Sequence, residues 1–178
     1  MRRLLSTVML TVGLTAGLCS SASADTYTNG ERAGDAVIHR ADGSTETDKR
    51  SVADMTDVTV TTGRYRTRVR VGFTDVLPRF RGRFTFRAHF EGDNGIEYWE
   101  RTHYQRGGVS GTSGGDVSFY DCTFSRQRLS ATRDVLVMSI LNDCVGNAGA
   151  VKVRVASRYA FTPGGRVTDR SATRMLAY

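Results

Sequence analysis

The segment GRYRTRVRVGF, residues 63–73, alternates without a slip: Arg64, Arg66, Arg68 and Arg70 share one parity, and Tyr65, Thr67, Val69 and Val71 the other. Successive side chains of a strand point to opposite faces, whereas a helix would scatter these residues around its surface. The segment therefore reads as a strand with Val69, Val71 and Phe73 in a core and the arginines in water. The period of two recurs over most of the chain beyond residue 53. Val, Phe, Tyr and Thr dominate there, and the two prolines are Pro78 and Pro163, which argues for an all-β fold. Strands are predicted near 54–62, 65–74, 82–91, 96–105, 116–122, 124–130, 134–140 and 150–160. Short strands at this spacing fit a single antiparallel β-sandwich over residues 54–178, with jelly-roll and immunoglobulin-like topologies both open.

Ahead of that domain, residues 25–53 are polar, with one short apolar piece at Ala36-Val37-Ile38, and read as a lead-in carrying at most an edge strand. Residues 1–24 have the form of a secretory signal peptide: Arg2 and Arg3, an apolar run from Leu4 to Leu18, then Ala22-Ser23-Ala24. The run is shorter than the ~20 residues of a membrane-spanning helix and no second one follows, so no transmembrane segment is expected in the mature chain. Cys19 raises lipid anchoring, but Leu18 stands where a lipidation signal has Gly or Ala, and a cleaved signal is the better reading. A secreted or extracellular location, with wall association as a variant, follows. The remaining chain is about one domain long. Loss of Arg2 and Arg3 lowers the formal charge of +7 by two.

Export leaves two cysteines, Cys122 and Cys144, and an even count in an exported chain points to an intradomain disulfide. Spacing points the same way. CTFSRQRLSATRDVLVMSILNDC has its one break at Ser130-Ala131-Thr132-Arg133, and a hairpin folded there brings the two cysteines together. Such a bond contributes ~3 kcal/mol in the chain-entropy model. A second hairpin is expected at FEGDNGIEY. A three-residue turn with Gly95 left-handed pairs Phe90 with Tyr98 and Phe86 with Thr102, while a two-residue turn at Asn94-Gly95 shifts the register by one.

The motifs DVTV, YRTRVRVGFTDV and YDC, followed by LSATRDVLVMSILNDCVGNAGAVKVRV, make residues 54–158 resemble a group of small secreted actinobacterial proteins of unknown function, β-rich with one Cys-to-Cys hairpin. The turn in EGDNGIEYWE departs from that group's pattern. The resemblance implies compartment and fold, and brings no catalytic residue.

Motifs that carry chemistry are weak. GTSGG, residues 111–115, matches the nucleophile-elbow pattern around Ser113, but that motif works as a strand-to-helix turn in a large α/β sheet, and here it lies in the glycine-rich RGGVSGTSGG, read as a flexible loop. His39, His89 and His103 sit at no metal-ligand spacing, so no metal and no cofactor are expected. Asp93, Asn94 and Glu97 resemble a sparse calcium loop, yet Asp, Asn and Gly are also what a turn requires. A glycosidase pair is a matter of folded distances of about 5–10 Å between carboxylates, which spacing along a chain does not reveal. A small secreted hydrolase or calcium-dependent carbohydrate-active domain is thus the alternative to a non-enzymatic binding module.

Basic residues remain. All but Lys49 and Lys152 of the 25 basic residues are arginines, a skew that codon economy in a GC-rich genome also produces. Placement says more than number. Parity turns Arg83 and Arg87 outward opposite Phe84, Phe86 and Phe90, and turns Lys152, Arg154 and Arg158 outward opposite Val151, Val153 and Val155. With Arg64, Arg66, Arg68 and Arg70 they form a candidate anion-binding face. A merely solvated face fills with long polar stems in the same way. Like charges facing each other are nevertheless costly, and Asp57, Thr59 and Thr61 on the preceding strand offer relief. The candidate ligands are an anionic cell-wall polymer, a polysaccharide or lipid head groups, because the guanidinium fork suits phosphate and carboxylate. Sequence-specific nucleic acid is disfavoured, since stacking aromatics on the basic face are not evident. A protein partner along the edge strand at 36–40 is a further candidate.

Overall fold

The structure, a computed structural model, describes residues 25–32, 34–47, 53–75, 82–105, 108–116, Cys122, 126–130, 132–161 and 165–178. The signal segment with Cys19, and most of the strand expected at 116–122, lie outside the described residues.

The strands are β1 (Thr26–Gly30), β2 (Val37–His39), β3 (Thr45–Thr47), β4 (Met55–Thr62), β5 (Arg66–Phe73), β6 (Arg83–Gly92), β7 (Glu97–Gln105), β8 (Gly108–Gly115), β9 (Arg126–Ser130), β10 (Val135–Leu141), β11 (Ala150–Phe161) and β12 (Gly165–Ala177). They form two antiparallel sheets packed as a β-sandwich. One has five strands in the order β1-β4-β5-β10-β9; the other has seven in the order β3-β2-β12-β11-β6-β7-β8. Hairpins join consecutive neighbours within each sheet, and β1 beside β4, β2 beside β12, β10 beside β5 and β11 beside β6 are the long-range pairings.

Parity is obeyed at every predicted core position. Val58, Val60, Val69, Val71, Leu136, Met138 and Ile140 of the smaller sheet meet Phe84, Phe86, Phe90, Val151, Val153 and Val155 of the larger in one buried cluster. Phe73 and Phe84 touch edge to face between the sheets, with ring centroids 5.5 Å apart and an 86° interplanar angle. Phe84 also meets Tyr104, its partner in the β6–β7 register, at 5.9 Å. That hairpin has the predicted three-residue form: Phe90 faces Tyr98, Phe86 faces Thr102, and Gly95 has φ 81°. A left-handed residue there costs glycine little and any other residue more.

Three expectations differ. The lead-in contributes three strands rather than at most one edge: β1 pairs with β4, and β2 lies between β3 and β12. β2 is therefore no free edge for a protein partner, because β3 covers it. Within RGGVSGTSGG, residues 108–115 are not a loop but form β8, the edge of the larger sheet. Its glycines are a packing choice, for a Cβ on Gly114 would lie 2.8 Å from the Trp99 ring. Finally, β12 was not anticipated at all. Its inward positions include Asp169, Ser171 and Thr173, so the apolar alternation that marks the other strands is missing. The register slips between Lys152 and Arg154, where the Thr173 hydroxyl accepts the Val153 N–H at 2.9 Å.

Asp169 also joins the sheets. Its carboxylate accepts the N–H of Met55 at 2.7 Å and of Arg170 at 2.6 Å. Asp54 accepts the Gly34 N–H with both oxygens at 3.0 and 2.8 Å, and the Thr74 hydroxyl as well. Burial, with Asp35 and Asp54 adding negative charge, pushes Asp169 up to about 6. An unfolded Asp titrates near ~4, so between about pH 6 and 4 the folded state holds more protons than the unfolded one. Stability contributed by this group therefore rises as pH falls through that window. We expect the melting temperature to climb by a few degrees from pH 7 to pH 5, and the climb to vanish in Asp169→Asn. An equal climb in both proteins, followed by circular dichroism, would remove this assignment.

Candidate anion-binding faces

The sandwich sorts the predicted basic residues into two sets. Arg66, Arg68 and Arg70 stand on β5 of the five-stranded sheet, whereas Arg83 and Arg87 on β6, and Lys152, Arg154 and Arg158 on β11, stand on the seven-stranded sheet. Outer faces of two stacked sheets point away from each other. The arginines of β5 thus do not extend the face formed by β6 and β11, and one continuous face is replaced by two. Arg64 precedes β5 in the turn, its guanidinium 5.0 Å from the Tyr65 ring centroid.

On the larger sheet the register builds a row across four strands. Arg101 of β7 faces Arg87, Arg87 faces Ala156 of β11, and Ala156 faces Arg170 of β12. The next row on the same face is His103, Thr85, Arg158 and Thr168. Small residues between long ones make a trough. Arg83, Arg87, Arg101, Arg158 and Arg170 line a groove of ≈ 610 Å³ floored by Ala156 and Ala160. Arg87, Arg170 and Arg154 also line an adjoining groove of ≈ 510 Å³ with Ala172.

The charge in this trough is not offset locally. Among the described residues Arg154 pairs with Glu91 at 2.6 Å, and His89 with Glu97 at 3.1 Å, at one end of the face. None of the five groove arginines pairs with a carboxylate among the described residues. Burial first, then the Arg83 and Arg101 guanidiniums, hold His103 below the usual imidazole range, while Thr85 Oγ1 lies 2.9 Å from its Nδ1. Arg87 and Arg101 face each other directly, an unfavourable pairing. Trp99 moderates it: the two guanidinium carbons lie 5.8 and 5.9 Å from its ring centroid. The indole also packs close to Gly114, where a Cβ would lie 2.8 Å from it. It lies against both arginines and against Gly114 of β8.

The smaller sheet has its own basic array. Arg70 and Arg128 flank Val137, and Arg68 and Arg126 flank Ser139. Arg70 pairs with Asp57, the relief expected from the preceding strand, and Arg66 Nη1 donates to Ser139 Oγ at 3.0 Å.

Reasoning from sequence missed Arg101, Arg170, Arg126 and Arg128, and left open which way Trp99 points. Arg101 and Trp99 were within reach, because the hairpin register that places Tyr98 inward turns both outward. Arg170 was not, since β12 itself lacked an apolar signature.

The alternative chemistries find little geometry. Asp93 Oδ1 accepts the Gly149 N–H at 3.0 Å, Asn94 Oδ1 accepts the Ile96 N–H at 3.0 Å, and Glu97 turns to His89. Their oxygens serve separate partners rather than one cation. Ser113 lies within a strand, facing Glu100 of β7, not on a strand-to-helix elbow. Asp35, Asp54 and Asp169 do bring carboxylate oxygens within 4.8 Å of one another, but Asp54 and Asp169 spend theirs on backbone N–H groups and Thr74. Cys122 and Cys144 are buried 2.6 Å apart, and burial with the neighbouring Cys122 pushes the Cys144 thiol up.

No family model, no curated protein and no solved structure matches this chain.

Proposed function

We propose that the chain is an exported, non-enzymatic binding module whose seven-stranded sheet receives a linear phosphodiester polymer of the cell envelope. The observation that carries this reading is the groove of ≈ 610 Å³ lined by Arg83, Arg87, Arg101, Arg158 and Arg170 with no carboxylate in its lining. A solvated face would relieve opposed arginines with acids, as Asp57 relieves Arg70; here the opposition of Arg87 and Arg101 is retained. Guanidinium forks match phosphate oxygens, and exposed arginines in a row match a repeating charge. A polyol-phosphate chain fits better than nucleic acid, because base stacking needs aromatic side chains along the basic groove and its lining has no Phe, Tyr or Trp.

Trp99 is the chain's one tryptophan and lies beside the groove arginines Arg87 and Arg101, so its fluorescence reports on the site. Poly(glycerol phosphate) is expected to change that signal saturably, with the logarithm of the affinity falling linearly with log salt. The bound anion should also raise the His103 pKa by offsetting Arg83 and Arg101. Absence of both responses at low salt would overturn the proposal.

Export is supported by the leader-like residues 1–24, and with it goes a disulfide between Cys122 and Cys144, which the folded chain buries side by side. Intact-mass measurement of the exported protein should find it two hydrogens lighter than its reduced form. Two alkylatable thiols after unfolding without reductant would refute the bond.

A further inference from the structure

We infer that the five-stranded sheet is a second anion site, so that one domain bridges two polyol-phosphate chains. The inference rests on the reading of the larger sheet given above and adds an occupant and a valency to it. Arg68, Arg70, Arg128 and Arg133 line a groove of ≈ 600 Å³ on the outer side of this sheet, with Val135 and Val137 as its floor. Its construction repeats that of the first site: β5 and β9 carry the guanidiniums and the strand between them, β10, presents short neutral side chains. Adjacent strands lie about 4.8 Å apart, so Arg70 and Arg128 stand roughly 10 Å from each other at the backbone, and like-parity residues on one strand follow at ~6.7 Å. Spacings of that order let successive phosphates of an extended chain meet successive guanidiniums.

Arg70 already has a partner in Asp57, and none of the residues lining the second groove is aromatic. Three guanidiniums, those of Arg68, Arg128 and Arg133, form no ion pair among the described residues. The second site is accordingly the weaker. The two grooves occupy opposite outer faces of a sandwich whose sheets are separated by ~10 Å of packed core. A chain lying straight in one groove does not reach the other. Two chains bound at once are held back to back, which makes the domain a cross-link rather than a coat.

The test uses the exported chain and poly(glycerol phosphate). Light scattering should rise to a maximum as polymer is added and fall again when excess polymer leaves each domain with separate chains on its faces. A short oligomer that fills one groove should bind the unmodified protein at two sites by sedimentation. The Arg68→Thr, Arg128→Thr, Arg133→Thr variant should keep the Trp99 response and lose both the scattering and the second site. Unchanged scattering in that variant, or a single oligomer site in the unmodified protein, overturns the bridge while leaving the first groove intact. A failed Trp99 response instead removes the reading on which the bridge rests. Scattering with oligothymidylate but not with poly(glycerol phosphate) overturns the assigned occupant.

Discussion

Replacing Arg87, Arg101, Arg158 and Arg170 together with threonine should weaken poly(glycerol phosphate) binding on the order of 10³-fold and leave the protein as stable as before, or more so. A basic side chain close to an anionic surface contributes about 1 kcal/mol at physiological salt. Four such losses amount to ~4 kcal/mol, close to three powers of ten in affinity. Each lost phosphate contact should also reduce the log-salt slope by about 0.7, so the slope falls by roughly 3. Threonine keeps the β preference of these strand positions. Stability should not suffer, because Arg87 and Arg101 face each other in register without a carboxylate between them. Removing like charges that oppose each other relieves a cost of a few tenths of a kcal/mol or more. Titration of Trp99 fluorescence and a melting curve on the same sample separate the two effects. If the variant binds as tightly as the parent, the groove does not hold the polymer.

Phe84→Ala should be the most damaging single truncation in the core, costing about 3–5 kcal/mol. Phe84 is fully buried, meets Phe73 across the sandwich and Tyr104 along its own sheet, and so ties three strands from both layers. With a urea dependence of about 2 kcal/mol per molar, the unfolding midpoint should fall by roughly 2 M. The Phe73–Phe84 contact itself should appear in a double-mutant cycle as a coupling of about 0.5–1.5 kcal/mol. Additive effects of Phe73→Ala and Phe84→Ala would mean that the edge-to-face pair contributes only buried area.

Much of the fold was legible because the signals are local. The inward residues of β4, β5, β6, β10 and β11 are mostly Val, Ile, Leu, Met and Phe at alternate positions, and a turn residue such as Gly95 announces its backbone angle by its identity. Where the inward residues are not apolar the signal fails. β12 turns Asp169, Ser171 and Thr173 inward, and half of β8 is glycine, with Gly114 leaving room for Trp99. Both are nonetheless held by ladder pairing to β11 and β7. The pairing satisfies the backbone whatever the side chains are, which is why composition did not reveal them.

The candidate site divides along the same line. That Arg66, Arg68 and Arg70 turn away from Val69 and Val71 follows from the pleat alone, since parity is a property of each strand. Which strands stand beside it is not. β5 and β6 follow one another in the chain yet enter different sheets, and β11 returns to β6 while β10 returns to β5. Those choices depend on burying two apolar faces against each other at long range, and no spacing along the chain encodes them. The order of residues therefore established that the chain would present arginines outward. Sheet pairing determined that they form two grooves back to back, with Arg101 and Arg170, contributed by neighbouring strands, completing the one on the seven-stranded sheet.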